Sequence, residues 1–93
     1  MKTTQTTRNN NFRKLIEATK NREHDLHGVP LVMILGAMLE IIKQKGIDAG
    51  YFQLGMICEK VGMFDHFHEI TNYVAQNPDA ARSDIIDHLD LNW

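Results

Sequence analysis

Hydrophobic positions recur at helical spacing along most of the chain. Phe12, Leu15, Ile16 and Thr19 fall at i, i+3, i+4 and i+7, which predicts an amphipathic helix from about Asn10 to Arg22. A second stripe, Leu31, Ile34, Leu35, Met38, Ile41 and Ile42, predicts a helix from about Pro30 to Lys45, entered through H-D-L-H-G-V-P and closed by Gly46. Its opposite side is apolar too, through Val32, Met33, Gly36 and Leu39, and a helix apolar on both sides is a buried one. Leu54, Ile57, Cys58 and Val61 mark a third helix, with Asp48 as its expected cap, Gly62 as its stop and Gly55 inside it. An interior glycine costs about 1 kcal/mol relative to alanine, so a close approach is expected there. Phe64, Phe67, Ile70 and Val74 make the stripe of a fourth helix capped by Asp65, and Asn77-Pro78 starts a fifth with Ile85, Ile86 and Leu89 inward.

No segment alternates with period two between turn signals, so strands are not expected. The reading is an all-α fold, a compact bundle of four to five short helices. Met1 to Asn11, rich in threonine and asparagine, buries too little to offset its ordering entropy and is expected to be a flexible, disordered basic tail; residues 12–93 form the single helical domain. A chain of 93 residues supports one core, and a composition 43% hydrophobic and 24% charged is that of an ordinary globular protein.

Charge changes the picture once it is divided along the chain. Up to Glu23 there are six basic and two acidic residues, +4; from His24 onward there are four basic and ten acidic, −6, which together give the net −2. A basic arm precedes an acidic body. The lone Cys58 can form no internal disulfide, no apolar run follows Met1, and the longest uncharged run is shorter than the roughly 20 apolar residues of a membrane span. A cytoplasmic protein without membrane contact is the expectation.

The stretch M-F-D-H-F-H-E-I, Met63 to Ile70, is the nearest approach to metal chemistry. On a helix His66 and His68 stand about 200° apart around the axis, whereas chelation wants i and i+4 on a helix or i and i+2 on a strand. His24 and His27 have H-x-x-H spacing, but in a segment broken by Gly28 and Pro30. Cys58 lies in an apolar stripe, which favours an inert thiol over a nucleophile. Ser83, the single serine, is in no nucleophile elbow, and the glycines fit no phosphate-binding loop. No catalytic residues, metal or cofactor are therefore expected, and no enzyme.

A helix-turn-helix over L-G-M-I-C-E-K-V-G-M-F-D-H-F-H-E-I would present a second helix exposing Asp65, His66, His68, Glu69 and Asn72, without a cation to meet phosphate. Nucleic acid would instead have to be met by Arg8, Arg13, Lys14, Lys20 and Arg22 on the arm, weakly and without base reading. Met33, Met38, Met56 and Met63 suit an irregular core or an adaptable partner groove, and Tyr73 and Trp93 suit interface anchors, although a terminal tryptophan can also fold back on its helix. The functional expectation is a small regulator or inhibitor that masks a partner protein, one that handles nucleic acid being a concrete version, through an acidic helical face of Asp65, Glu69, Asp84, Asp87 and Asp90. A homodimer is expected, with Val32, Met33, Gly36 and Leu39 at its seam. The alternative is a nucleic-acid-binding regulator that uses the basic arm.

Overall fold

The computed structural model describes residues 9–20, 25–26 and 28–89. Among the described residues five α-helices follow one another: α1 (Asn10–Lys20), α2 (Leu31–Lys45), α3 (Tyr51–Lys60), α4 (Phe67–Gln76) and α5 (Pro78–Leu89). Short 3-10 turns at Ile47–Gly50 and Phe64–His66 lead into α3 and α4. The all-α bundle read from the hydrophobic stripes is what forms. One addition is a minimal antiparallel pairing of β1 (Asp25–Leu26) with β2 (Val29–Pro30), Asp25 opposite Pro30 and Leu26 opposite Val29, too short for any alternation to show in the sequence.

Helices α1, α3 and α4 are placed largely by the stripes that predicted them; on α5 Ile85 is buried, Ile86 is only partly so, and the side chain of Leu89 lies outside the described residues. Phe12, Leu15, Ile16 and Thr19 of α1 are all buried, and the Thr19 hydroxyl donates to the Ile16 carbonyl at 3.0 Å, which satisfies a polar group that water cannot reach. Asn9 caps α1, its side-chain oxygen accepting the Phe12 N–H at 3.0 Å, while its amide donates to the Glu69 carbonyl at 3.2 Å. Asn11 donates to the Glu69 carboxylate. Asn9, expected in the tail, is thus the cap, and Asn10 and Asn11, where the expected tail and the expected helix overlap, are helical and help tie α1 to α4; residues 1–8 lie outside the described residues.

Helix α2 is the centre of the bundle and touches α1, α3 and α5. Leu31, Leu35, Met38 and Ile42 are buried along one side, and Val32, Gly36 and Leu39 along another. Three helices of its own chain cover both apolar sides. Ile41, expected inward, is instead exposed. Two cross-links flank the α2–α5 contact, Arg82 to Glu40 at 2.8 Å and Lys43 to Asp79 at 3.1 Å, both exposed enough to contribute only about 0–1 kcal/mol each.

The capping expectations fare unevenly. Gly46 closes α2 with φ +97°, its N–H donating to Ile42, and Pro78 opens α5. Asp48 and Asp65 do not cap: each lies within a 3-10 turn whose start has no side-chain cap. The Asn77 amide reaches back to the Tyr73 carbonyl at 3.2 Å rather than forward. The end of α3 is a Schellman motif, with Met63 N–H to the Cys58 carbonyl at 2.8 Å and Gly62 N–H to the Glu59 carbonyl at 3.1 Å. That motif needs the left-handed φ of +77° which Gly62 supplies.

The glycine that permits a close approach between elements is Gly50, not Gly55. A Cβ on Gly50 would stand 2.8 Å from Ile42 Cδ1 and 2.8 Å from Met38 Cγ, so the turn before α3 can sit against α2 only without a side chain there. Gly50→Ala is expected to cost about 1–3 kcal/mol through overpacking, read as a lower urea midpoint with an unchanged m-value. An unchanged midpoint would mean that Ile42 and Met38 yield freely.

The largest departure from the sequence reading is Asp84. Expected outward with Asp87, it is 0% exposed. One carboxylate oxygen lies 3.6 Å from the Arg13 guanidinium and the other accepts the Tyr73 hydroxyl at 3.2 Å. Ala81 and Ile85, both fully buried, bracket it at i−3 and i+1, so its place on α5 is an inward one and its charge is met by α1 and α4. The Tyr73 ring in turn packs on Phe12, centroids 5.5 Å apart. Among the described residues no helix is long and apolar enough to cross a membrane.

Candidate protein-interaction surface

Helix α3 carries two faces. Leu54, Ile57 and Cys58 point into the core, with Val61 packed at its edge. Phe52, Met56 and Glu59, at i, i+4 and i+7, occupy the opposite side, and the first two are apolar and in water: Phe52 is 81% exposed and Met56 51%. Tyr51 and Phe64 are exposed beside them, Phe64 at 54%. These side chains surround one open cleft of about 290 Å³ lined by Tyr51, Phe52, Gly55, Met56, Phe64 and Phe67, with Glu59 at its margin.

The 3-10 turn builds half of that cleft. In 3-10 geometry residues i and i+3 eclipse each other, and Phe64 stacks on Phe67 with centroids 5.3 Å and planes 8° apart. Phe67 is buried beneath it, while Phe64 is lifted into solvent rather than joining the α4 stripe in which the sequence placed it. The Tyr51 ring meets Phe67 edge-on at 5.0 Å. Gly55 supplies the floor: a Cβ there would meet Phe67 Cζ at 3.4 Å, ordinary contact, so the glycine leaves space open rather than relieving a clash. A second cleft of about 300 Å³, lined by Leu31, Met56, Ile57, Glu59 and Lys60, adjoins the first through Met56 and Glu59.

The residues singled out from the sequence are distributed differently. Of the acidic face, Asp65, Glu69 and Asp87 are exposed, Asp84 is buried in its ion pair, and Asp90 lies outside the described residues. Glu69 also accepts from Asn11 and lies 3.7 Å from His66 Nδ1. Of the proposed seam, Val32, Gly36 and Leu39 are interior to a single chain and only Met33 is exposed, so the reason for a second subunit there disappears. Of the cations, Arg13 is directed at Asp84, Lys20 stands 3.8 Å from Glu17, Lys14 is exposed, and Arg8 and Arg22 lie outside the described residues. His24, His27 and Trp93 are likewise outside them. His66 and His68 are both exposed, and among the described residues no three His, Cys, Asp or Glu side chains converge as a metal site would require.

Cys58 is fully buried, and burial pushes its thiol up to about 11, so little thiolate forms near neutrality. A thiol-reactive disulfide reagent is expected to modify the folded chain very slowly at neutral pH and stoichiometrically in denaturant. Rapid modification of the folded chain would place this thiol at the surface.

Comparison with protein-family models, with curated proteins and with solved structures finds no match for this chain. Function therefore rests on the surface itself. The sequence reading allows Met56 a place in either an irregular core or a partner groove, puts Phe64 in the inward stripe of α4, and assigns Phe52 no role. The Phe52–Met56–Glu59 spacing on the side of α3 away from Leu54 and Ile57 was the available signal.

Proposed function

We propose that this is a small, non-enzymatic protein-interaction module that regulates a partner protein by covering part of it. The contact surface is the aromatic and methionine face of α3 and the Phe64 turn. One observation carries the reading: Tyr51, Phe52, Met56 and Phe64 are all exposed around a single cleft, whereas Val29, Met33 and Ile41, the other exposed large hydrophobics among the described residues, line neither described cleft of α3. Grouped apolar exposure of this kind marks interaction sites in small soluble domains, and aromatic side chains concentrate at the energetic centres of interfaces. Of the acidic face, Asp65 adjoins Phe64 in the chain, whereas the Glu69 carboxylate accepts from Asn11 of α1 and Asp84 holds α1 in place.

The alternative reading, nucleic acid bound by the basic arm, has less to work with than the charge count suggested. Arg13 faces Asp84, and Glu17 lines the same shallow depression as Asn10, Arg13 and Lys14. The test is site-specific photo-crosslinking in the native cells, with a benzophenone side chain at position 52 and, as control, at Lys14. A discrete heterologous protein adduct formed from position 52, and lost when Phe64 is also changed to serine, is expected. Adducts equally abundant from position 14, or none from 52, would reject the docking face.

A further inference from the structure

We infer that the occupant of this surface is a basic amphipathic α-helix of the partner protein. The inference rests on the docking reading above and adds the chemistry of what docks.

Adjacency comes first. The Phe52–Phe64 cleft and the Leu31–Ile57 cleft both have Met56 and Glu59 in their linings, so the two hollows are neighbours on α3. Phe52, Met56 and Glu59 span about 10 Å along the helix axis, two turns, which is the length over which a docked helix presents anchors at i, i+4 and i+7.

The second point is backbone satisfaction. An extended peptide gains its affinity by adding hydrogen bonds to a free strand edge, and here the described strands are two residues each, are paired with each other and contribute no residue to the lining of either cleft. Helix α3 uses its own backbone groups internally. A segment laid over Phe52, Met56 and Phe64 must therefore satisfy its own N–H and C=O groups, which a helix does.

Charge completes the specification. From Ile47 to Gln76 the chain carries Asp48, Glu59, Asp65 and Glu69 against Lys60, a balance of −3 within a protein of net −2. Glu59 lines both clefts; beside the second it is offset by Lys60, but in the Phe52–Phe64 cleft it is the charged side chain of the lining, so lysine or arginine flanking the apolar anchors of a helix seated there meets an opposite charge, which favours encounter. Met56 at the junction of the clefts is unbranched and polarizable and adapts to differing apolar anchors.

The experiment titrates full-length protein with synthetic peptides at near-physiological salt, followed by fluorescence anisotropy and by backbone and methyl NMR shifts. The probe is a leucine–lysine amphipathic helix of about four turns. The comparators are the same apolar pattern with glutamate for lysine, the lysine peptide with its apolar positions scrambled, and a proline-rich basic peptide. Micromolar binding of the probe is expected, with shifts centred on Phe52, Met56, Glu59 and Phe64. Phe52→Ser should weaken it about tenfold or more, and Glu59→Lys should weaken the lysine helix while improving the glutamate one. Both positions are exposed, and circular dichroism verifies that each variant stays folded. Equal binding of the scrambled peptide, preference for the glutamate helix, tighter binding of the proline-rich peptide, or shifts away from α3 would each overturn the inference. If photo-crosslinking from position 52 succeeds while the leucine–lysine helix fails, the docking face stands and the occupant is of another kind; if both fail, both readings fall.

Discussion

Leu39→Lys is expected to unfold the protein rather than to separate subunits. Leu39 is 0% exposed within one chain, on the side of α2 that its own helices cover. Truncating such a leucine to alanine removes about 2–5 kcal/mol through lost transfer energy and a cavity. Lysine adds the cost of an ammonium group with no partner in an apolar interior. Domains of this size hold only about 5–15 kcal/mol in total, so the sum reaches the whole stability. Far-UV circular dichroism should show little helix for Leu39→Lys, and Leu39→Ala should melt early but cooperatively. A Leu39→Lys chain with wild-type helicity and half the wild-type mass would restore the seam on α2.

Asp84→Ala is expected to lower stability by about 2–4 kcal/mol, measured by urea unfolding. Removing one member of a buried pair commonly costs about 3–5 kcal/mol because the other is left with its desolvation uncompensated. The lower range applies because Arg13 is 31% exposed and water recovers part of its charge. Tyr73→Phe deletes one hydrogen bond and should cost about 1 kcal/mol. Asp87→Ala, three residues along on the exposed side of α5, should stay within about 0.5 kcal/mol of wild type. If Asp84→Ala and Asp87→Ala behave alike, Asp84 is not buried in solution.

Stripe periodicity was legible because it reports burial directly: the α1, α3 and α4 stripes all lie in the core, Phe64 and the partly covered Val61 excepted. It does not report what does the burying. The two apolar sides of α2 have the same sequence signature whether the cover is a second chain or α1, α3 and α5, and the latter is the case. Asp84 was misread because its charge was weighed ahead of its phase. Ala81 and Ile85 put position 84 on the inward arc, but a small alanine is easily left out of a stripe, and the arginine that meets the carboxylate is 71 positions away in the chain. Phe64 failed for a different reason. An α-helical phase of 100° per residue was extended across a turn that is 3-10, where 120° per residue stacks Phe64 over Phe67 instead of beside it.

Gly55 bears on how any related sequence should be read. It sits in the middle of a helix, where alanine would be favoured by about 1 kcal/mol and would meet Phe67 only at ordinary contact distance. Folding alone would thus drift this position to alanine, and the drift would raise the cleft floor between Phe52 and Phe64. Position 55 separates two kinds of selection: descendants that keep glycine with an aromatic residue at 52 are maintaining an opening, and those that acquire alanine have let it close in exchange for a more stable helix.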